Sequence, residues 1–308
     1  MRDAFFRTLV ELASEDERVI FITGDLGFKL VNEFATRFPT RFFNAGVAEA
    51  NMVSVAAGLA LSGKIPFVYS IVPFITARCV EQIRNDLCNM GAPVIVVGVG
   101  GGYSYGENGP THHGIDDIAL MRAIPEMTVV CPCDPVEAAD AMRALVAYGK
   151  PAYLRLGRAG ERSLPRCNGY FELGRPSLVR TGEDIAIVAS GAITSEALNA
   201  ADKLNETGID VAVWSLHTVK PIESSVSIIA QARYRLVIAV EEHGPCGGMT
   251  EALSARMHEV SSGTRVARIT APDTFTHPVG SQGTLRKTAH LDADGIAERV
   301  LTLVGGKN

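Results

Sequence analysis

The chain has 308 residues, a formal net charge of -5 and a sequence pI near 5.8, with 47% hydrophobic and 20% charged residues. That is the composition of a globular chain long enough for two domains with large buried cores. The acidic balance argues against nucleic acid or an anionic membrane as main partner, since both require a basic footprint.

The N-terminal Met1-Arg2-Asp3-Ala4-Phe5-Phe6-Arg7 is charged and helical, unlike a secretory leader. No apolar run approaches the roughly 18 to 20 residues that span a bilayer. The six cysteines are scattered, and Cys131-Pro132-Cys133 lacks a second Cys/His pair at zinc-site spacing. These features predict a reducing, cytoplasmic setting without disulfides.

Strand and helix patterns alternate along the chain, predicting an α/β fold of two doubly wound domains with parallel sheets. An amphipathic helix over Ala4–Ser14 precedes a buried strand, Val19–Thr23, ended by Gly24-Asp25-Leu26-Gly27. A helix over 48–61 follows, then the strand Ile65–Ser70, a long helix over Ile75–Asn89, and the β-branched run Pro93–Val99 of a central parallel strand. The loop Gly100–Gly114 leaves the carboxyl end of that strand, where open α/β sheets place ligands. Helix Asp117–Ala123, strand Met127–Cys131, helix Pro135–Tyr148 and strand Ala152–Leu156 complete a first domain at 1–165. Gly and Pro break all periodicity over 159–180, which reads as a linker. The second domain, 166–308, has predicted strands at Asp184–Ala189, Asp210–Trp214, Arg235–Glu241 and Thr264–Ile269. Its helices are Thr194–Thr207, Glu223–Ala232, Met249–Val260 and Asp294–Leu303.

Two segments carry chemistry. In Phe43-Asn44-Ala45-Gly46-Val47-Ala48-Glu49-Ala50-Asn51, one carboxylate stands where a turn enters a helix rich in small residues. Helix N-termini favour carboxylates in any case, so position alone does not mark Glu49 as functional. In Gly106-Glu107-Asn108-Gly109-Pro110-Thr111-His112-His113, a glycine- and proline-punctuated loop delivers two imidazoles. Adjacent histidines do not easily chelate one ion and no carboxylate-rich motif lies nearby, so no metal ligands are predicted.

Gly-Val-Ala-Glu-x-Asn at Gly46–Asn51, followed by Val53-x-Val55-Ala56-Ala57-Gly58-Leu59-Ala60, resembles the cofactor-glutamate segment of transketolase-like enzymes that depend on thiamine diphosphate. The resemblance implies that Glu49 hydrogen-bonds a pyrimidine nitrogen of thiamine diphosphate and promotes the imino form that activates it. Ile71-Val72-Pro73-Phe74-Ile75-Thr76-Ala77-Arg78 is similar to the stretch that presents aromatics to the pyrimidine, with only Phe74 retained and Ile71 and Ala77 flanking it. Arg78, Glu81 and Arg84 read as support for a subunit contact. Asp25 matches a loop near the cofactor's thiazolium ring.

The loop at Gly106–His112 resembles Gly-Glu-Asp-Gly-Pro-Thr-His, whose histidine contacts the sugar and assists proton transfer, which implies that role for His112. The family aspartate is Asn108 here, and a histidine common upstream falls at Gly100. Arg158 matches an arginine that grips a substrate phosphate, while Arg2 and Lys29 fall near other phosphate-contacting positions. The second domain is similar through Val188-Ala189-Ser190-Gly191, His217–Ile222 and Glu241–Gly248, and has no Walker pattern.

The Gly-Asp-Gly…Asn pattern that holds Mg²⁺ and the diphosphate in these enzymes is not found in the chain. The resemblance covers nearly all of this sequence but only the C-terminal half of a full-length transketolase. It implies the β subunit of a split transketolase that moves a two-carbon ketol unit between sugars. Mg²⁺ and the diphosphate would be held by an N-terminal partner subunit in an α2β2 heterotetramer. A deoxyxylulose-phosphate-synthase-like enzyme, a 2-oxo acid dehydrogenase β subunit and a non-catalytic partner remain alternatives at this point.

Overall fold

A computed structural model describes residues 1–27, 29–260 and 263–305 of the chain. Its strands are β1 (Val19–Thr23), β2 (Phe42–Asn44), β3 (Ile65–Ile71), β4 (Ile95–Val99), β5 (Thr128–Val130) and β6 (Ala152–Leu156). They are followed by β7 (Ser177–Arg180), β8 (Ile185–Ser190), β9 (Val211–Ser215), β10 (Thr218–Lys220), β11 (Leu236–Glu241) and β12 (Arg265–Ile269). The first sheet runs β2-β1-β3-β4-β6-β5-β10, parallel except where β10 meets β5, and the second runs β12-β11-β8-β9-β7, parallel except at β7. The predicted α/β class with parallel-dominated sheets is the observed one.

The central strands β1, β3, β4, β6, β8, β9 and β11 are buried along their whole length, because helices cover both faces of each sheet. Local signals fix several helices. Pro135–Tyr148 begins on Asp134, whose carboxylate accepts the Glu137 N–H at 2.6 Å, has proline in its first turn and ends on left-handed Gly149. Such an Asp cap stabilises a helix by about 0.5 to 2 kcal/mol.

The sequence expectation does not include β2 or the helices Asn32–Arg37 and Gln282–Thr288, and three further departures have local causes. The helix expected over 75–89 begins at Val72 and is broken into an α-turn, a 3₁₀ turn at Ala77–Cys79, a second α-turn and a π-turn at Ile83–Cys88. Pro73 starts it early, and the Thr76 hydroxyl bonds back to the Val72 carbonyl at 2.6 Å, a contact that bends helices. The expected linker contains β7, held to β9 and braced by Asn168, whose side chain bridges Pro176 O and Leu178 N. Three residues, too few for a periodic signal, form β10 and extend the first sheet from within the second sequence segment. Lys220 strengthens that junction by donating to the carbonyls of Arg122 and Ile124.

Candidate functional site

The order of the first sheet reverses between β1 and β3, the switch point where open α/β sheets form a crevice at their carboxyl ends. Glu49 stands there, 1% exposed, at the first position of helix Glu49–Leu61. Its carboxylate does not cap that helix. Ser70, at the end of β3, donates to Oε1 at 2.9 Å, and Arg78 donates to Oε2. Gly24, at the end of β1, backs the carboxylate so closely that a Cβ there would lie 3.4 Å from Glu49 Cγ. The carboxylate is thus buried, with one oxygen fixed by a hydroxyl and the other paired to a half-exposed arginine. Such a group suits a ring nitrogen that presents a proton.

A chain of side chains leads away from it. The Arg78 guanidinium lies 4.9 Å from the centre of the Phe74 ring, and Phe74 meets the His112 ring edge-on at 5.1 Å. Tyr105 approaches His112 at 6.4 Å, and Arg158 lies 4.9 Å over Tyr105. Burial pushes the Tyr105 hydroxyl up, and the neighbouring Arg2 and Arg158 guanidinium groups pull it back. Arg2 Nε is buried without a hydrogen-bond partner. Burial also lowers the pKa of His112, which favours its neutral imidazole. Thr111 Oγ1 sits 3.0 Å from His112 Nδ1, so that nitrogen is engaged within the loop.

Asp25, next to Gly24, is hydrogen-bonded to Asn44. Their side chains bond at 2.9 Å, and the Asp25 N–H donates back to Asn44 Oδ1 at 3.1 Å. Lys29 is exposed on a left-handed turn and makes no hydrogen bond or ion pair among the described residues. Asn108 is exposed on the 3₁₀ turn Gly106–Asn108. The structure therefore brings Glu49, Phe74, His112, Arg158 and Arg2 into one connected row, leaves Asn108 on the His112 loop, and gives Asp25, beside Gly24, its bonds to Asn44, with Lys29 making no hydrogen bond or ion pair to the row among the described residues. Ser70, Gly24 and Tyr105 were not singled out in the sequence, and Arg78 was assigned to a subunit contact. Their roles depend on where β1, β3 and the loop end in space, which spacing does not record.

A family model described as the transketolase pyrimidine-binding domain matches residues 1–161, and one for the transketolase C-terminal domain matches 174–296. The chain belongs to the transketolase family. The putative transketolase C-terminal section of Methanocaldococcus jannaschii is 36% identical over 304 residues, covering 98% of this chain and 95% of its own length. An apulose-4-phosphate transketolase subunit of Phocaeicola vulgatus is 34% identical over 306 residues, covering 98% of this chain and 97% of its own. The solved structure of a split gene transketolase, an inactive beta4 tetramer, superposes with a TM-score of 0.89 at 32% identity, covering 98% of this chain and 97% of that one. Transketolases depend on thiamine diphosphate, and the residues around Glu49 fit its pyrimidine end: a dry carboxylate, a glycine floor and an aromatic ring on one wall.

Proposed function

We propose that this chain is the C-terminal, or β, subunit of a split, thiamine-diphosphate-dependent transketolase that transfers a two-carbon ketol unit between sugars or sugar phosphates. The observation that carries the proposal is the buried Glu49 carboxylate at the sheet's switch point, joined through Arg78 and Phe74 to the His112 imidazole. The near end-to-end match to a relative called a transketolase subunit supports a partner-dependent enzyme.

The cofactor, when bound, supplies an electron sink for the bond that is broken and remade. Glu49 would share a proton with its pyrimidine nitrogen, and Ser70 holds the carboxylate by its hydrogen bond. Phe74 would wall the pyrimidine ring, and Asp25 would stand near the thiazolium. His112 Nε2 binds a substrate hydroxyl and moves its proton, which a neutral imidazole performs as base. Asn108 bonds a second hydroxyl. Arg158 and Arg2, with its unpaired buried Nε, take an anionic tail, and Lys29 adds longer-range attraction.

Mg²⁺ and the diphosphate fall to an N-terminal subunit, and the working assembly is an α2β2 heterotetramer in the cytoplasm. Phe43 and Val47, 44% and 76% exposed beside Glu49, give that partner an apolar surface to cover. Residues 1–165 act as the pyrimidine-binding domain and 166–308 as the C-terminal domain. Calorimetry tests the reading. The purified chain alone should not bind thiamine diphosphate and Mg²⁺ tightly or turn over, and mixing with the N-terminal subunit should restore both. Sub-micromolar binding by the isolated chain would refute it.

A further inference from the structure

The second sheet has its own switch point. Its order reverses at β8 and β11, so a ligand crevice is expected at their carboxyl ends. Here that crevice is filled by the first domain's own loop. Tyr103, fully buried, joins the apolar cluster of Ile187, Val240, Ile269 and Leu285, and its hydroxyl lies 3.1 Å from Thr276 Oγ1. Directly after β11, the buried Glu242 carboxylate accepts the Tyr103 N–H at 3.1 Å and the Arg286 guanidinium at 2.7 and 3.1 Å. Gln282 completes the shell, donating to Glu242 and, at 3.2 Å, to Ser104 Oγ. Arg155 of β6 ties both ends together by donating to Gly114 O at 2.6 Å and Glu242 O at 3.1 Å.

The loop above this anchor has a closed neck: Gly102 and Gly114 exchange N–H···O bonds of 2.7 and 2.9 Å. Gly102 has φ of 65°, and a Cβ there would overlap the Glu242 carboxyl group, so the backbone approach requires glycine. Tyr105, Asn108 and His112 all lie between the two glycines of this neck.

We infer that Glu242, with Gln282 and Arg286, positions the substrate-binding loop, so that the C-terminal domain sets substrate geometry from below rather than serving assembly alone. The inference rests on the function proposed above, which gives the loop its meaning. Glu242 is a positioning residue: buried, it acts through the Tyr103 N–H and, by way of Gln282, on the Ser104 hydroxyl. Its neutral replacement keeps the shape but loses the charge-assisted bonds to Arg286, and Gln282→Ala loosens Ser104 without stranding a charge. Glu49 and Ser70 sit at the opposite sheet's switch point and are not linked to this anchor by any hydrogen bond among the described residues.

Glu242→Gln and Gln282→Ala separate this role from simple structural support. In the reconstituted complex, KM for the ketose donor should rise by about tenfold or more while cofactor affinity and cofactor C2–H exchange change less than about twofold. In the isolated chain, hydrogen exchange of peptides covering 101–114 should accelerate by about tenfold or more, with β1 and β3 unchanged. A lower melting temperature with unchanged KM and unchanged loop exchange would overturn the inference. So would loss of protection spread equally over both sheets. If the wild-type complex shows no transferase activity, the proposed function fails, yet the exchange pattern still decides whether Glu242 holds the loop.

Discussion

Phe74 and His112 meet edge to face, with ring centroids 5.1 Å apart and planes at 72°. One ring comes from the broken helix after β3 and the other from the loop after β4. Phe74 also lies 4.9 Å from the Arg78 guanidinium, which pairs with Glu49. A single aromatic ring therefore contacts both the arginine paired with the group proposed to activate the cofactor and the group proposed to handle the substrate proton. Aromatic pairs of this kind are worth about 0.5 to 1.5 kcal/mol beyond burial, or about two- to tenfold in a rate that depends on them. Phe74→Ala should lower kcat/KM by about that factor or more, and Phe74→Tyr should retain most of it. Unchanged kinetics in Phe74→Ala would remove the ring from the site.

Glu49→Gln keeps the side chain's shape and its bond from Ser70 but loses the ion pair with Arg78. The complex should fold and assemble, with turnover reduced by about 10²- to 10⁴-fold, the usual size of an acid–base contribution. Cofactor C2–H exchange with deuterium isolates the step. Near-normal exchange in the variant would show that another group activates the cofactor.

How far the sequence reached differs by scale. The β-branched runs of β4, β8 and β11 and the capping residues of Pro135–Tyr148 are local signals, and their elements fall within a residue or two of expectation. Glu49 and His112 were legible because each sits in a distinctive string. Ser70 and Arg78 were not, since their closeness to Glu49 follows from the register of β3 against β1 and from the break in the helix at Pro73. The role of Glu242 was hidden for the same reason. A carboxylate at a strand end says nothing about which loop of another sheet will descend on it.

Burial lowers the pKa of His112, His113 and His217 below the ordinary 6.5. For His217, burial outweighs the upward pull of Glu137 and of a backbone contact at Arg175, and Arg166 adds to the lowering. The unfolded chain therefore takes up protons first as pH falls. Stability is full above about pH 6.5 and declines below it until each native imidazole is itself protonated. Urea midpoints should drop between about pH 7 and pH 5.5, and His217→Gln should flatten that slope. Parallel slopes for wild type and variant would show that His217 is not among the groups responsible.

Substrate choice should depart from that of an ordinary sugar-phosphate transketolase, because of Asn108 and Gly100. An aspartate facing a ketose hydroxyl accepts a charge-assisted hydrogen bond, and asparagine offers a neutral one about half as strong. Position 100 cannot carry the family histidine in this setting: Gly100 has φ of 88°, and a Cβ there would collide with the Tyr105 ring. Tyr105 in turn packs under Arg158 and beside Arg2, so an anionic tail would meet guanidinium groups where an imidazole is absent. Weak activity on xylulose 5-phosphate is expected, with better activity on a ketose of altered hydroxyl pattern or tail. A donor panel with wild type, Asn108→Asp and Arg158→Ala measures this. Asn108→Asp should shift preference toward xylulose 5-phosphate, and Arg158→Ala should raise KM selectively for anionic donors. If wild type performs best on xylulose 5-phosphate and Asn108→Asp changes nothing, Asn108 does not set specificity. Full efficiency of Arg158→Ala on every anionic donor would separately exclude that arginine from tail binding.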